Sequence, residues 1–153
     1  MAPIFAPSHV IVLMDIMRGG DTIRAACVLV IEKDETLAEK TAVVLEEAGY
    51  NVVKATDAID GLRMVYEVRP DLIIAARELP MVNGEDACLR IRQASYLPIL
   101  VLGNEEEAVE TLELGIDAFL TKPLSTNELV ARVHALLRRK MGPHPPATKE
   151  LAA

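Results

Sequence analysis

The stretch RPDLIIAARELPMVNGEDACLRIR, residues 69–92, holds one complete strand–loop–helix unit. Within it, residues 71–76 (DLIIAA) form an apolar run after the first aspartate, the pattern of a strand buried on both faces. Pro80 and Gly84 punctuate a loop, and residues 85–94 read as a helix. The same unit recurs on both sides. Residues 27–31 (CVLVI) are a second continuous apolar run, and in residues 36–48 Leu37, Val44, Leu45 and Ala48 repeat at helical spacing before Gly49 supplies the stop. Residues 51–54 read as a strand and residues 58–68 as a helix ended by Pro70. Further on, residues 98–102 predict a strand, 105–114 a helix ending at Gly115, and 117–120 a short strand. The last helix spans 125–140, with Ser125 as N-cap and Glu128 at N3 in a capping box. Five βα units in a row predict an α/β fold in which a parallel sheet carries helices on both faces. Right-handed crossovers leave few topologies open.

Composition agrees with one aliphatic domain and excludes several function classes. The chain has 153 residues, 51% of them hydrophobic, and a formal charge of −7 from 16 Lys plus Arg against 23 Asp plus Glu. That sign argues against a surface built for DNA or RNA, because phosphate contacts need clustered cations. Aromatic residues are only 3%, with no Trp, so base-stacking platforms are lacking too. Cys27 and Cys88 lie far apart, and with three His and no CxxC motif a zinc site is not expected. Both cysteines sit in apolar patterns and read as buried thiols. No apolar run reaches the roughly 18 residues of a membrane span, and no basic region precedes residues 10–14, so neither membrane insertion nor secretion is expected. The location this implies is the cytoplasm.

Domain boundaries follow from where the βα rhythm stops. Residues 27–140 form the folded domain. Residues 1–26 read either as a disordered extension or as an added edge strand at 9–14, with Met14 and Met17 as alternative starts. Residues 141–153, with Pro143, Pro145 and Pro146, carry no core-building pattern and are expected to be a flexible tail or the start of a linker.

Several segments together resemble the receiver domain of bacterial response regulators, the CheY-like family. They are VLVIEKD (28–34), EEAGYNV (46–52), the opening stretch, PILVL (98–102) and LGIDAFLTKPLSTNELVARVHALLRR (114–139). Five matches in order, each on the corresponding element, are far more specific than any one. The resemblance implies a flavodoxin-like (βα)5 fold with strand order 2-1-3-4-5 and a site at the carboxyl ends of the strands. The final helix is similar to that of the OmpR/PhoB class, where it leads into a winged-helix DNA-binding domain. Only 13 residues follow Lys140 here. The expectation is either a stand-alone receiver or the regulatory half of a regulator cut before its output domain.

A receiver of this family uses an aspartate at the end of the third strand as phosphoryl acceptor. An acidic pair after the first strand holds Mg²⁺, a Thr or Ser follows the fourth strand, and a Lys precedes a Pro after the fifth. The logic is electrostatic. A carboxylate attacks phosphorus only where a hard cation neutralises developing charge, and carboxylate oxygens are that cation's ligands. In this sequence the acceptor position is Ala76, the acidic pair is Glu32 and Lys33, and the hydroxyl position is Gly103. Lys122-Pro123 matches the family, and Glu32 keeps its charge. Asp34 is acidic but stands one place too late. The expectation is a degenerate site, a pseudo-receiver with no catalytic residue, no metal and no cofactor. Glu78 borders the same pocket, so Glu78 or Glu32 is expected to pair with Lys33 and Lys122 in place of the phosphoryl–metal cluster. The blander alternative leaves Glu78 and Lys33 in water.

The family transmits its signal through the face of the fourth helix, fifth strand and fifth helix, where an aromatic on the fifth strand changes rotamer. That aromatic is Phe119, expected to lie inward because Gly103 leaves room. Asp117, Glu128 and Arg132 match positions that make charged pairs across a dimer in the OmpR/PhoB class. The basic residue expected in the fourth helix falls at Ala108, and the loop before that helix is about three residues shorter than the family pattern. An Asp117–Arg132 pair across a two-fold axis is one expectation, a solvated pair the other. The basic end of the last helix, with Arg138, Arg139 and Lys140, is explained by the helix dipole. The leading functional expectation is therefore a phosphorylation-independent signalling module, not an enzyme. It would act as a homodimer or on another signalling protein, with no direct nucleic-acid contact. The reading as a conventional phospho-acceptor through Asp71 or Glu78 is disfavoured.

Overall fold

The computed structural model describes residues 25–141, with the side chains of Lys140 and Met141 outside the description. The expectations for the segments at 1–24 and 142–153 lie outside the described residues. The strands are β1 (Cys27–Ile31), β2 (Asn51–Ala55), β3 (Leu72–Ala76), β4 (Ile99–Gly103) and β5 (Ala118–Thr121). The helices are α1 (Glu35–Glu47), α2 (Ala58–Val68), α3 (Ala87–Ala94), α4 (Ala108–Glu113) and α5 (Thr126–Met141). All strand pairings are parallel, in the order β2-β1-β3-β4-β5. This is the doubly wound topology the sequence pattern implies.

Alternation within each strand divides the core in two. Val28, Val30, Leu72, Ile74, Leu100 and Leu102 face α1 and α5, meeting Leu45, Leu129, Val133 and Leu136. Leu29, Ile31, Ile73, Ile99 and Val101 face the other way, toward Ala58 of α2 and Cys88 and Ile91 of α3. Both strand faces are buried, which is why these segments read as unbroken apolar runs and not as alternation with polar residues. Each fully buried Leu or Ile stabilises by about 1.5–3 kcal/mol.

Three of the helix starts are set by aspartates. Asp34 accepts from the N–H groups of Thr36 and Leu37, Asp57 from Asp60, and Asp86 from Cys88 and Leu89. Asp86 therefore stands outside the helix expected to begin at Glu85. The helix expected over 105–114 is also divided, with a 3₁₀ turn at Glu105–Glu107 leading into α4. Ser125 caps α5, accepting from Glu128 N–H at 3.3 Å.

The opposite, amino-terminal edge of the sheet is held by polar ties. Asp71 Oδ2 accepts from Cys27 N–H at 2.8 Å. Arg92, at the end of α3, donates to Leu97 O at 2.8 Å, to Gly115 O at 3.2 Å, to Ser95 O, and to Asp117 Oδ2 at 3.0 Å. The same Asp117 oxygen accepts from Ile99 N–H at 2.8 Å. One guanidinium thus joins the end of α3 to the starts of β4 and β5.

Gly61 lets α2 approach β1 closely. A Cβ there would lie 2.9 Å from Cγ1 of Ile31 and closer still to its Cδ1, and Ile31 is fully buried. Helix propensity favours alanine by about 1 kcal/mol, and overpacking costs about 1–3 kcal/mol. Gly61→Ala is expected to lower the unfolding free energy by up to about 2 kcal/mol in urea titration. An increase would show that Ile31 has room to yield.

Candidate functional site at the carboxyl edge of the sheet

In a parallel sheet every strand delivers its carboxyl end to one edge, and the residues just past those ends converge. Here the register brings together Ile31 with Ala75, Ala76 with Leu102, and Gly103 with Thr121. Glu32, Ala76, Gly103 and Lys122 consequently share that edge.

Glu32 is 7% exposed and its carboxylate is already engaged. One oxygen accepts from Asp34 N–H at 3.1 Å, and the other lies 4.0 Å from Lys122 Nζ. Lys33 and Glu78 are exposed, and among the described residues neither makes an ion pair. The expected pocket pairs thus reduce to Glu32–Lys122. Lys33 leaves the strand where the chain turns into α1, and Glu78 stands two residues past the end of β3. For charges in water, hydration competes well with a partner. Asp34 is consumed as the α1 cap. Asp71 is at the other end of β3, one strand length from this edge.

The residue that dominates the site is Arg77, which the sequence reading passed over. It follows Ala76 directly, and its side chain is only 12% exposed. Its guanidinium meets Asp86 as a fork, Nη1 to Oδ1 at 3.0 Å and Nη2 to Oδ2 at 2.9 Å, and Nη2 lies 3.7 Å from Glu110 Oε2 on α4. Burial works against the Arg77 charge, but the hydrogen bond and charge of Asp86 overcome it and hold its pKa above the ordinary value. Burial likewise opposes the Asp86 carboxylate. Arg77 and the N–H groups of Leu89 and Cys88 outweigh it and lower its pKa. Cys88 lies beneath, its Sγ 3.8 Å from Ala76 O. Burial pushes its thiol up to about 11, so it stays protonated and unreactive at neutral pH.

Gly103 is buried, and its missing side chain is what lets three groups close over it. A Cβ there would lie 2.8 Å from Arg77 Cβ, 2.8 Å from Glu107 Oε1 and 3.1 Å from Phe119 Cζ. Phe119 is half-buried against the cluster under α2 and α3, and Glu107 folds back to accept from Asn104 N–H at 2.9 Å. Glu128 and Arg132 are exposed on α5, and Ala108 is half-buried at the start of α4. Asp117 has an in-chain role in the Arg92 tie, so one of its oxygens is taken before any partner subunit arrives.

A five-stranded parallel sheet in this order, with its candidate site on the carboxyl edge, is the flavodoxin-like arrangement. The sequence profile of the response regulator receiver domain matches residues 28–134, and the chain belongs to that family. Among curated proteins it is 39% identical over 122 residues to the DNA-binding response regulator MtrA of Mycobacterium tuberculosis, an alignment covering 78% of this chain and 53% of that protein. It is 36% identical over 118 residues to the DNA-binding dual master transcriptional regulator RpaA of Synechocystis, covering 73% and 49% respectively. The chain spans about half the length of these relatives. Among solved structures, a response regulator from Chloroflexus aurantiacus matches with a TM-score of 0.69 and 34% identity, over 76% of this chain and all of that one. The Francisella response regulator 1452 receiver domain matches at 0.68 and 29%, over 75% and 98%. Among the described residues no helix is long and apolar enough to cross a membrane.

The family's Mg²⁺ does not fit the residues present. Of the positions that would hold it, Lys33 carries an ammonium and Ala76 a methyl group. The one remaining carboxylate, Glu32, is bonded to Asp34 N–H and faces Lys122. A single occupied carboxylate is a poor start for an octahedral oxygen shell. A methyl group at the strand end likewise offers no nucleophile.

The Arg77–Asp86 pair makes a pH prediction. A carboxyl whose folded pKa is lowered adds stability that is complete above its unfolded value of about 3.9 and is lost as pH falls through the folded value. Asp86→Asn keeps a helix cap but removes the charge. The stability difference between wild type and Asp86→Asn is expected to hold steady at about 1–3 kcal/mol through neutral and mildly acidic pH. It should shrink only below the ordinary carboxylate range. A difference that vanishes near pH 6 would contradict the pairing.

Proposed function

We propose that this receiver works without phosphorylation at the end of β3 and signals through protein–protein contacts, as a cytoplasmic homodimer formed on the α4–β5–α5 face. The observation that carries the reading is Ala76. The position where the family's chemistry needs a carboxylate holds a buried methyl group, flanked by an Arg77–Asp86 fork and not by a cation site. Its neighbours support the same reading. Lys33 stands in the metal-binding pair, and the Gly103 space is closed by Phe119, Arg77 and Glu107.

The proposed face has the composition of a self-complementary contact. Val109 and Leu112 expose 71% and 44% of their surface one helical turn apart on α4. Around them α4 and its leading turn carry Glu105, Glu106, Glu110 and Glu113, whereas α5 presents Arg132, Arg138 and Arg139. A two-fold axis would set the acidic helix of one protomer against the basic helix of the other. Arg132 remains the α5 member of such pairs, with Glu128 beside it. Asp117, tied to Arg92, is the weaker partner.

A second reading has its own support. MtrA and RpaA are DNA-binding regulators by name, and the chain corresponds to about half of each. The domain would then be the regulatory half of an OmpR/PhoB-type transcription factor, with dimerisation bringing two DNA-binding halves to paired sites. Both readings share the same receiver chemistry.

Sedimentation of the full 153-residue chain over a wide concentration range, with and without Mg²⁺ and beryllofluoride, tests the proposal. A dimer whose dissociation constant is unmoved by either addition, and weakened about tenfold or more by Arg132→Glu, is the expected result. A response to beryllofluoride with Mg²⁺ would overturn phosphorylation independence. A monomer at every concentration would overturn the homodimer.

A further inference from the structure

Resting on the reading of an unphosphorylated receiver, we infer that Arg77 is a positioning residue that takes over the link between the end of β3 and the α4–β5 face. Its side chain runs from the strand end across Gly103, grips Asp86 at the head of α3 with both nitrogens of its fork, and reaches within 3.7 Å of Glu110 on α4. No other side chain among the described residues pairs with charged groups on both α3 and α4.

Two features make the link more than a chance ion pair. The first is steric. Arg77 Cβ, Glu107 Oε1 and Phe119 Cζ all crowd the point where a Gly103 side chain would begin, so the glycine and the arginine route depend on each other. The second is geometric. The planar fork satisfies both Asp86 oxygens while Asp86 also caps α3, so Arg77 cannot swing away without disturbing a helix start. Glu107, which folds over the same glycine, begins the turn that leads into α4. The consequence is that α4 and Phe119 are held in one arrangement by a fixed cation, with no signal required to install it.

Backbone hydrogen exchange on the full chain tests this. In Arg77→Gln, amides of residues 104–121 are expected to exchange about tenfold or more faster, while those of β1 and β2 keep their wild-type rates. Arg77→Lys, a cation without the fork, should fall between the two. Glu110→Gln serves as the second variant if Arg77→Gln fails to fold. It alters an exposed side chain, and a smaller acceleration confined to residues 104–114 is expected. Unchanged rates in α4 would overturn the inference, and so would a uniform rise across every element, which would make Arg77 a general stabiliser. Failure here is distinct from failure of the proposed function. A beryllofluoride response would remove phosphorylation independence and leave this exchange pattern intact.

Discussion

Parallel strands crowd their last residues onto a single edge, and that crowding governs everything this domain can do. Charges buried there must balance within a few ångströms, because the strand interiors beneath are apolar and offer no counter-charge. Here the balance is struck between protein groups. Glu32 faces Lys122, and Arg77 grips Asp86. Neither pair leaves a set of carboxylates bare enough to bind a hard dication, and β3 ends at Ala76 in a buried methyl group. Electrostatics and sterics agree, since the volume above Gly103 is filled by Arg77, Glu107 and the Phe119 ring.

The fold was legible in the sequence because parallel sheets announce themselves. The runs at 27–31, 71–76 and 98–102 are apolar throughout, since both faces of each strand are covered, and the helices between them keep a clear period. Boundaries were less legible where side chains compete with backbone. Asp86 reads as helical by spacing but acts as a cap, and Glu105–Glu107 bend into a 3₁₀ turn because Glu107 folds back on Asn104 N–H. Neither effect leaves a mark in hydrophobic periodicity.

The site was half legible. Position alone placed Glu32, Lys33, Ala76, Gly103 and Lys122 at the carboxyl ends of the strands, because strand ends follow from strand assignments. Partnership did not follow. Lys33 and Glu78 carry charge near the edge, yet both face water, and Arg77 had no assigned role although it lies beside the acceptor position. Its signal was present in principle. An arginine directly after a buried strand must find a carboxylate, and an aspartate at the start of the next helix is the nearest by topology. Arg92 was equally hidden, because three of its partners are backbone carbonyls, which sequence does not distinguish.

The central claim is that no carboxylate of this chain serves as a phosphoryl acceptor. Incubating the full chain with acetyl phosphate and Mg²⁺ and recording its intact mass tests it most directly. The account predicts a mass unchanged at every time point, under conditions that label a phosphorylatable receiver. A phosphoryl adduct on the native chain, at Asp71, Glu78 or any other carboxylate, would contradict it.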